Sequence, residues 1–287
     1  MKILTDSAAD FPWSEADSLG ITVAPLFIQF PEGEVDSADI EIDDFYNRLR
    51  DMEPDIPTTA QPSAGIFSNI YRKLAENGDE ILSIHISSGF SGTIQAALAG
   101  AKQVPEAVVT TFNSMTLSGG QRFQVLAAAL AAKAGWAKEA ILERLEQIRA
   151  NTEVIYTLDT LKYLAHGGRI GRVQALAGAL LNIKPVIRVD RADGKYSTVD
   201  KARTLRKTMQ MMTDHLAKMY QDDSPLLVSI VHGQFAAQAE AFAEMLNQHL
   251  DIAKIETLRI SPILGVHTGP GIVGATVVPM RLMEEFV

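Results

Sequence analysis

Short apolar runs of strand length alternate, along most of this chain, with longer runs whose apolar residues recur at helical spacing. That alternation leaves few architectures open: it is the pattern of an α/β protein, in which helices cover the faces of a largely parallel sheet. Strands are expected over 3–6 and 21–30, and a helix over 42–52. Ser63 reads as the N-cap of a second helix, because Ile66, Phe67, Ile70 and Leu74 then fall on one face before Gly78 ends it. A buried strand at 81–86, a helix at 94–104, a strand at 107–112 and helices at 119–134 and 138–150 complete a first block. The strand at 153–158 opens a second, which places a domain boundary near Asn151, between an N-terminal domain over 1–151 and a C-terminal one over 152–287. In the second block a helix through Leu161 and Leu164 stops at Gly167-Gly168, an apolar helix is expected at 175–181, and Asp193-Gly194 between two strand-like runs signals a hairpin. Helices at 204–220 and 234–250 flank a strand at 226–231, and strands at 255–260 and 274–279 enclose a glycine-rich turn at 265–271.

Ser87-Ser88-Gly89-Phe90-Ser91-Gly92-Thr93 joins the strand at 81–86 to the helix that follows. Hydroxyls and glycines before a helix start, where backbone N–H groups lack intrahelical partners, suit an acidic group. Ser91 also reads as a plain N-cap, and both readings hold together. As a nucleophile it lacks support, since a nucleophile elbow needs glycine two residues after the serine and position 93 is threonine. His267 sits in Gly265-Val266-His267-Thr268-Gly269-Pro270-Gly271, where small neighbours let a ligand approach. A lone histidine is more often structural than functional, and its setting is what singles it out. Thr58-Thr59-Ala60-Gln61-Pro62-Ser63 reads, taken alone, as a turn and a cap.

Several chemistries are excluded. The chain has no cysteine, hence no disulfide, thiol nucleophile or cysteine-held metal. A formal charge of −9 offers no general footprint for nucleic acid or an anionic membrane. There is no P-loop and no H-E-x-x-H zinc motif. Gly269, Gly271 and Gly274 match G-x-G-x-x-G, but no helix and acidic residue follow at the required distance. No apolar stretch is long enough to span a bilayer, and the polar residues soon after Met1 do not resemble a signal peptide, so a cytoplasmic protein without stable membrane insertion is expected. Local basic clusters remain: Arg169 and Arg172 around a glycine-rich loop, and Lys201, Arg203, Arg206 and Lys207 at a helix start. These are either a solvated face or a docking surface for an acidic or phosphate-bearing partner.

Six runs in order give the chain a resemblance that none carries alone. They are Ile3-Leu4-Thr5-Asp6-Ser7, Thr59-Ala60-Gln61-Pro62-Ser63, the 87–93 run, Leu161-Lys162-Tyr163-Leu164 with Gly167-Gly168-Arg169-Ile170, Leu181-Asn182-Ile183-Lys184-Pro185, and the 265–271 run. Together they resemble the DegV family of bacterial fatty-acid-binding proteins over nearly the whole chain. The resemblance implies a two-domain α/β fold, with a mostly parallel N-terminal sheet, a mixed or antiparallel C-terminal sheet and a long-chain fatty acid in an apolar tunnel between the domains. It maps the carboxylate-binding residues onto Thr59, Ser91 and His267, and implies no cofactor and no metal. Some members are the acyl-carrying subunit of a fatty acid kinase, whose separate ATP-binding subunit phosphorylates the bound carboxylate. On that reading the chain is not itself an enzyme, and Arg169 and Arg203 are candidates for docking that partner or steadying phosphate charge.

Three positions depart from the family pattern: Ala60 stands for serine, Phe90 for leucine and Asn113 for aspartate. Phe90 bears on the shape of the pocket, and therefore on chain length and unsaturation. Two rival readings stay open: a hydrolase or acyltransferase built on Ser91 and His267, and a regulator that senses lipid without passing it on.

Overall fold

The computed structural model describes residues 1–173, 183–223 and 225–286, and in these the strands form three sheets. In chain order they are β1 (Lys2–Asp6), β2 (Ile21–Ala24), β3 (Phe27–Phe30), β4 (Gly33–Asp36), β5 (Thr58–Ala60), β6 (Ile81–His85), β7 (Val109–Asn113), β8 (Glu153–Leu158), β9 (Lys184–Asp190), β10 (Lys195–Ala202), β11 (Leu226–His232), β12 (Ile252–Arg259) and β13 (Ile272–Pro279). The first sheet, β2-β1-β6-β7, is parallel throughout. The largest, β10-β9-β8-β13-β11-β12, is antiparallel except for the β11–β12 pair. A small antiparallel sheet, β4-β3-β5, is inserted in sequence between β2 and β6 of the parallel sheet.

The parallel sheet dictates where a ligand can sit. From β1 the chain crosses through the helix Trp13–Leu19 to β2 on one side, and from β6 through the helix Thr93–Lys102 to β7 on the other. The two crossovers diverge, so a crevice is left beyond the carboxyl ends of β1 and β6, the topological switch point at which α/β sheets bind ligands. Asp6 ends β1, and the hydroxyl-rich 87–93 loop leaves β6 at the same edge.

The helix Ser118–Lys133 joins the parallel sheet to the large one. It contacts β1 and β6 as well as β8 and β13, which is why it is buried almost all round, its polar Gln121, Arg122 and Gln124 included. One apolar core carries Leu26, Ile28, Ile86 and Leu117 together with Tyr156, Leu164, Tyr196 and Ile263, so residues from before and after Asn151 pack against each other.

Two local expectations are corrected. The run 21–30 is two strands in different sheets, because Pro25 has no N–H to continue the ladder and the N–H of Leu26 turns to Ser7 Oγ at 3.0 Å. The 265–271 run is largely helical: the helix Pro262–Thr268 starts at a proline, and its Gly265 serves packing, since a Cβ there would come within 2.6 Å of the Phe45 ring. The helix expected at 175–181 lies outside the described residues, as does the start of the Leu181-Asn182 motif. No described helix is long and apolar enough to cross a membrane.

Candidate functional site

A cavity of about 310 Å³ opens at the switch point, lined by both polar and apolar side chains. Thr59, Gln61, Ser91, Arg169 and His267 are among its polar residues, and Ala8, Leu26, Ile86, Leu117, Ile263 and Leu264 supply much of the apolar lining. Four of them come from different elements: Thr59 from β5, Ser91 from the loop after β6, Arg169 from the stretch after the helix Lys162–His166, and His267 from the helix Pro262–Thr268.

Thr59 Oγ1 and His267 Nε2 are 2.9 Å apart. His267 is buried, and burial above all, then the charges of Arg169 and His166, pushes its pKa down to about 3, so the ring is neutral at physiological pH. Its Nδ1 has no hydrogen-bond partner among the described residues. With the proton on Nε2 the ring donates to Thr59, whose own O–H is then available to an anion; with the proton on Nδ1, Thr59 donates to the ring instead. Gly167 is what admits the imidazole, because a Cβ at that position would overlap Nδ1.

Ser91 Oγ lies 2.7 Å from Thr93 Oγ1 and accepts from the Thr93 N–H at 3.3 Å, at the start of the helix Thr93–Lys102. The N-cap position itself is Gly92, so Ser91 sits one residue earlier than a cap. The loop is pinned to the large sheet: Ser87 Oγ donates to Gly194 O at 2.8 Å, in the β9–β10 turn. Gly89 packs so closely on Gly194 that a Cβ on it would lie 2.5 Å from the Gly194 carbonyl oxygen. Arg169 spans the cavity mouth, donating to Gly167 O at 2.7 Å and Phe90 O at 3.4 Å. It is exposed and leaves a positive charge beside the neutral His267.

Four of the five residues singled out in the sequence therefore meet around one cavity. Arg203 does not; it is exposed, between β10 and the helix Leu205–Met219. The sequence also missed Tyr196, which lines the cavity from β10 with its ring centroid 4.2 Å from that of Phe90. The arrangement offers little for acyl transfer. Ser91 is bonded to Thr93 rather than His267, and no carboxylate orients the His267 ring among the described residues. It suits an anionic head joined to an apolar body: hydroxyl donors, a neutral imidazole and one cation at the mouth, with apolar side chains beyond.

The family described as "Uncharacterised protein, DegV family" matches residues 1–280. A DegV domain-containing protein of Deinococcus radiodurans is 34% identical over 96% of this chain and 95% of its own. Among solved structures, a fatty-acid-binding DegV family protein of Thermus thermophilus is similar with a TM-score of 0.90 at 29% identity, covering 97% of this chain and 99% of that one. A stearic-acid-binding protein from Eubacterium ventriosum gives a TM-score of 0.87 at 26% identity, over 97% and 98% of the two chains.

Proposed function

The chain belongs to the DegV family, and from that premise we propose that it binds one long-chain fatty acid in the switch-point cavity and presents the carboxylate to a separate ATP-binding kinase subunit. The observation that carries this reading is the lining of the cavity, where Thr59, Ser91, His267 and Arg169 stand together with aliphatic side chains and Thr59 meets His267 at 2.9 Å. The ligand then lies between segments 1–151 and 152–287, taken as the two domains. Its tail supplies most of the affinity: at about 0.8 kcal/mol per buried CH₂, a chain of about 16 carbons has a gross transfer term on the order of 10 kcal/mol before the costs of association.

Thr59, Ser91 and His267 hold the head group without a bidentate arginine clamp, which leaves one carboxylate oxygen accessible. That oxygen attacks the γ-phosphorus of ATP held by the partner, the bond to ADP breaks, and an acyl phosphate is left on the carrier. Arg169 at the mouth steadies the transferred charge, and Arg203 on the surface belongs to the docking face. Delipidated protein titrated with palmitate should take up one equivalent. With a fatty acid kinase subunit and ATP, the loaded protein should yield a product that hydroxylamine traps as the hydroxamate. Uptake without trapping would leave a carrier or lipid sensor and remove the kinase partnership.

A further inference from the structure

Behind the cavity wall, where β1 and β6 end, one buried carboxylate gathers four donors. Asp6 Oδ1 accepts from the Ala8 N–H and Gln121 Nε2, both at 3.1 Å. Oδ2 accepts from His85 Nδ1 at 2.9 Å and the Ile86 N–H at 3.0 Å. Asp6, His85 and Gln121 have no exposed surface. His85 is held in turn: its Nε2 lies 2.6 Å from Ser83 Oγ, which lies 3.0 Å from the Tyr71 hydroxyl. With Nδ1 donating to Asp6, a neutral His85 ring has Nε2 free to accept from Ser83. The constellation has the residue types of a serine-hydrolase triad, yet Ser83 is fully buried on a central strand and lines none of the cavities, so no substrate reaches it.

Two of the four donors are backbone groups of cavity residues. Ala8 and Ile86 both line the cavity, and Ile86 is followed at once by the loop that carries Ser91. We propose that Asp6 and His85 are positioning residues for the fatty-acid head group: Asp6 fixes Ala8 and Ile86 relative to each other, His85 fixes Asp6, and together they set where the 87–93 loop presents Ser91. The proposal rests on the fatty-acid reading above. It accounts for a carboxylate at this place, since an asparagine accepts at one end only and its amide would face two donors at the other.

The test compares myristic acid with myristyl alcohol, of equal chain length but without the charged head, on delipidated full-length protein. Wild type should prefer the acid. In Asp6→Asn and His85→Leu that preference should fall about tenfold through weaker acid binding, with the alcohol unaffected. His85→Asn, whose amide takes the place of Nδ1, should restore it to near the wild-type value. Equal weakening toward both ligands in a variant that still unfolds cooperatively would mean that the network only supports the fold, and would overturn the proposal, as would an unchanged preference. If Asp6→Asn does not fold, the His85→Leu and His85→Asn pair decides by the same readout. A wild type that binds neither ligand would defeat the fatty-acid reading itself, a result distinct from any variant effect.

Discussion

Thr59 and His267, separated by 208 residues in sequence, meet at 2.9 Å in the wall of the cavity and join the small antiparallel sheet to the helix Pro262–Thr268. Neither residue is useful to a carboxylate alone: the imidazole is neutral, and the hydroxyl needs a partner to direct its proton outward.

Thr59→Ala should weaken fatty-acid binding by about 1–2 kcal/mol, the loss of a hydrogen bond to a charged group, and leave the melting temperature close to wild type. Ser91→Ala should do the same, with a smaller effect on the alcohol of equal chain length. Titration calorimetry on delipidated protein measures both, and unchanged acid affinity in either variant would remove that residue from the head-group site.

Gly167→Ala tests the fit of the imidazole. The added methyl overlaps the Nδ1 side of the ring, so His267 must shift and its 2.9 Å contact with Thr59 is disturbed. Expected are a loss of stability of about 1–3 kcal/mol, as for other overpacked sites, and acid binding at least as weak as in Thr59→Ala. Denaturant unfolding and calorimetry together check this.

His267 should make the unliganded protein acid-sensitive. Its pKa is about 3 when folded, against the ordinary 6.5 of an imidazole in the unfolded chain, so between those values the unfolded chain holds a proton that the folded one lacks. Stability from this group therefore rises with pH across the window and is lost as pH falls below about 6.5. Asp10 acts in the opposite direction: burial raises its carboxyl from 3.8 to about 6, so the folded chain holds the extra proton between those values, and stability from it falls as pH rises through them. Comparing wild type with His267→Gln isolates the histidine. From about pH 7 to about pH 5, wild type should lose about 2 kcal/mol more than the variant. Equal losses would mean that His267 is not held neutral by burial.

Arg169 and Arg203 should separate. Reversing Arg203 to Glu should leave fatty-acid binding intact and abolish acyl phosphate formation with the kinase subunit. Reversing Arg169 should impair both, because its guanidinium lines the cavity mouth where the carboxylate would lie. Binding and hydroxamate assays read the two effects independently, and normal turnover in Arg203→Glu would remove it from the docking face.

The alternation of strands and helices was legible because each element has a local cause, such as the Ser63 side chain that accepts from the Ile66 N–H at 3.3 Å and starts its helix. What failed was local chemistry overruled by packing. Gly265 reads as a turn residue, yet Phe45 and Tyr46 need the space its missing side chain leaves. Pro25 splits an apolar run whose composition is that of one strand. Ser91 and His267 stood out through their glycine-rich settings and Thr59 through resemblance, and the fold brings all three to one cavity. Asp6 and His85 carry no sequence signal for each other, because a bond between residues 79 apart exists only once β1 and β6 pair.

Native mass spectrometry of the purified protein, followed by denaturing extraction, tests the central claim most directly. Expected is one long-chain fatty acid per chain, released on denaturation and reduced in occupancy in Thr59→Ala. A protein that is empty as purified and also fails to take up added fatty acid would contradict it.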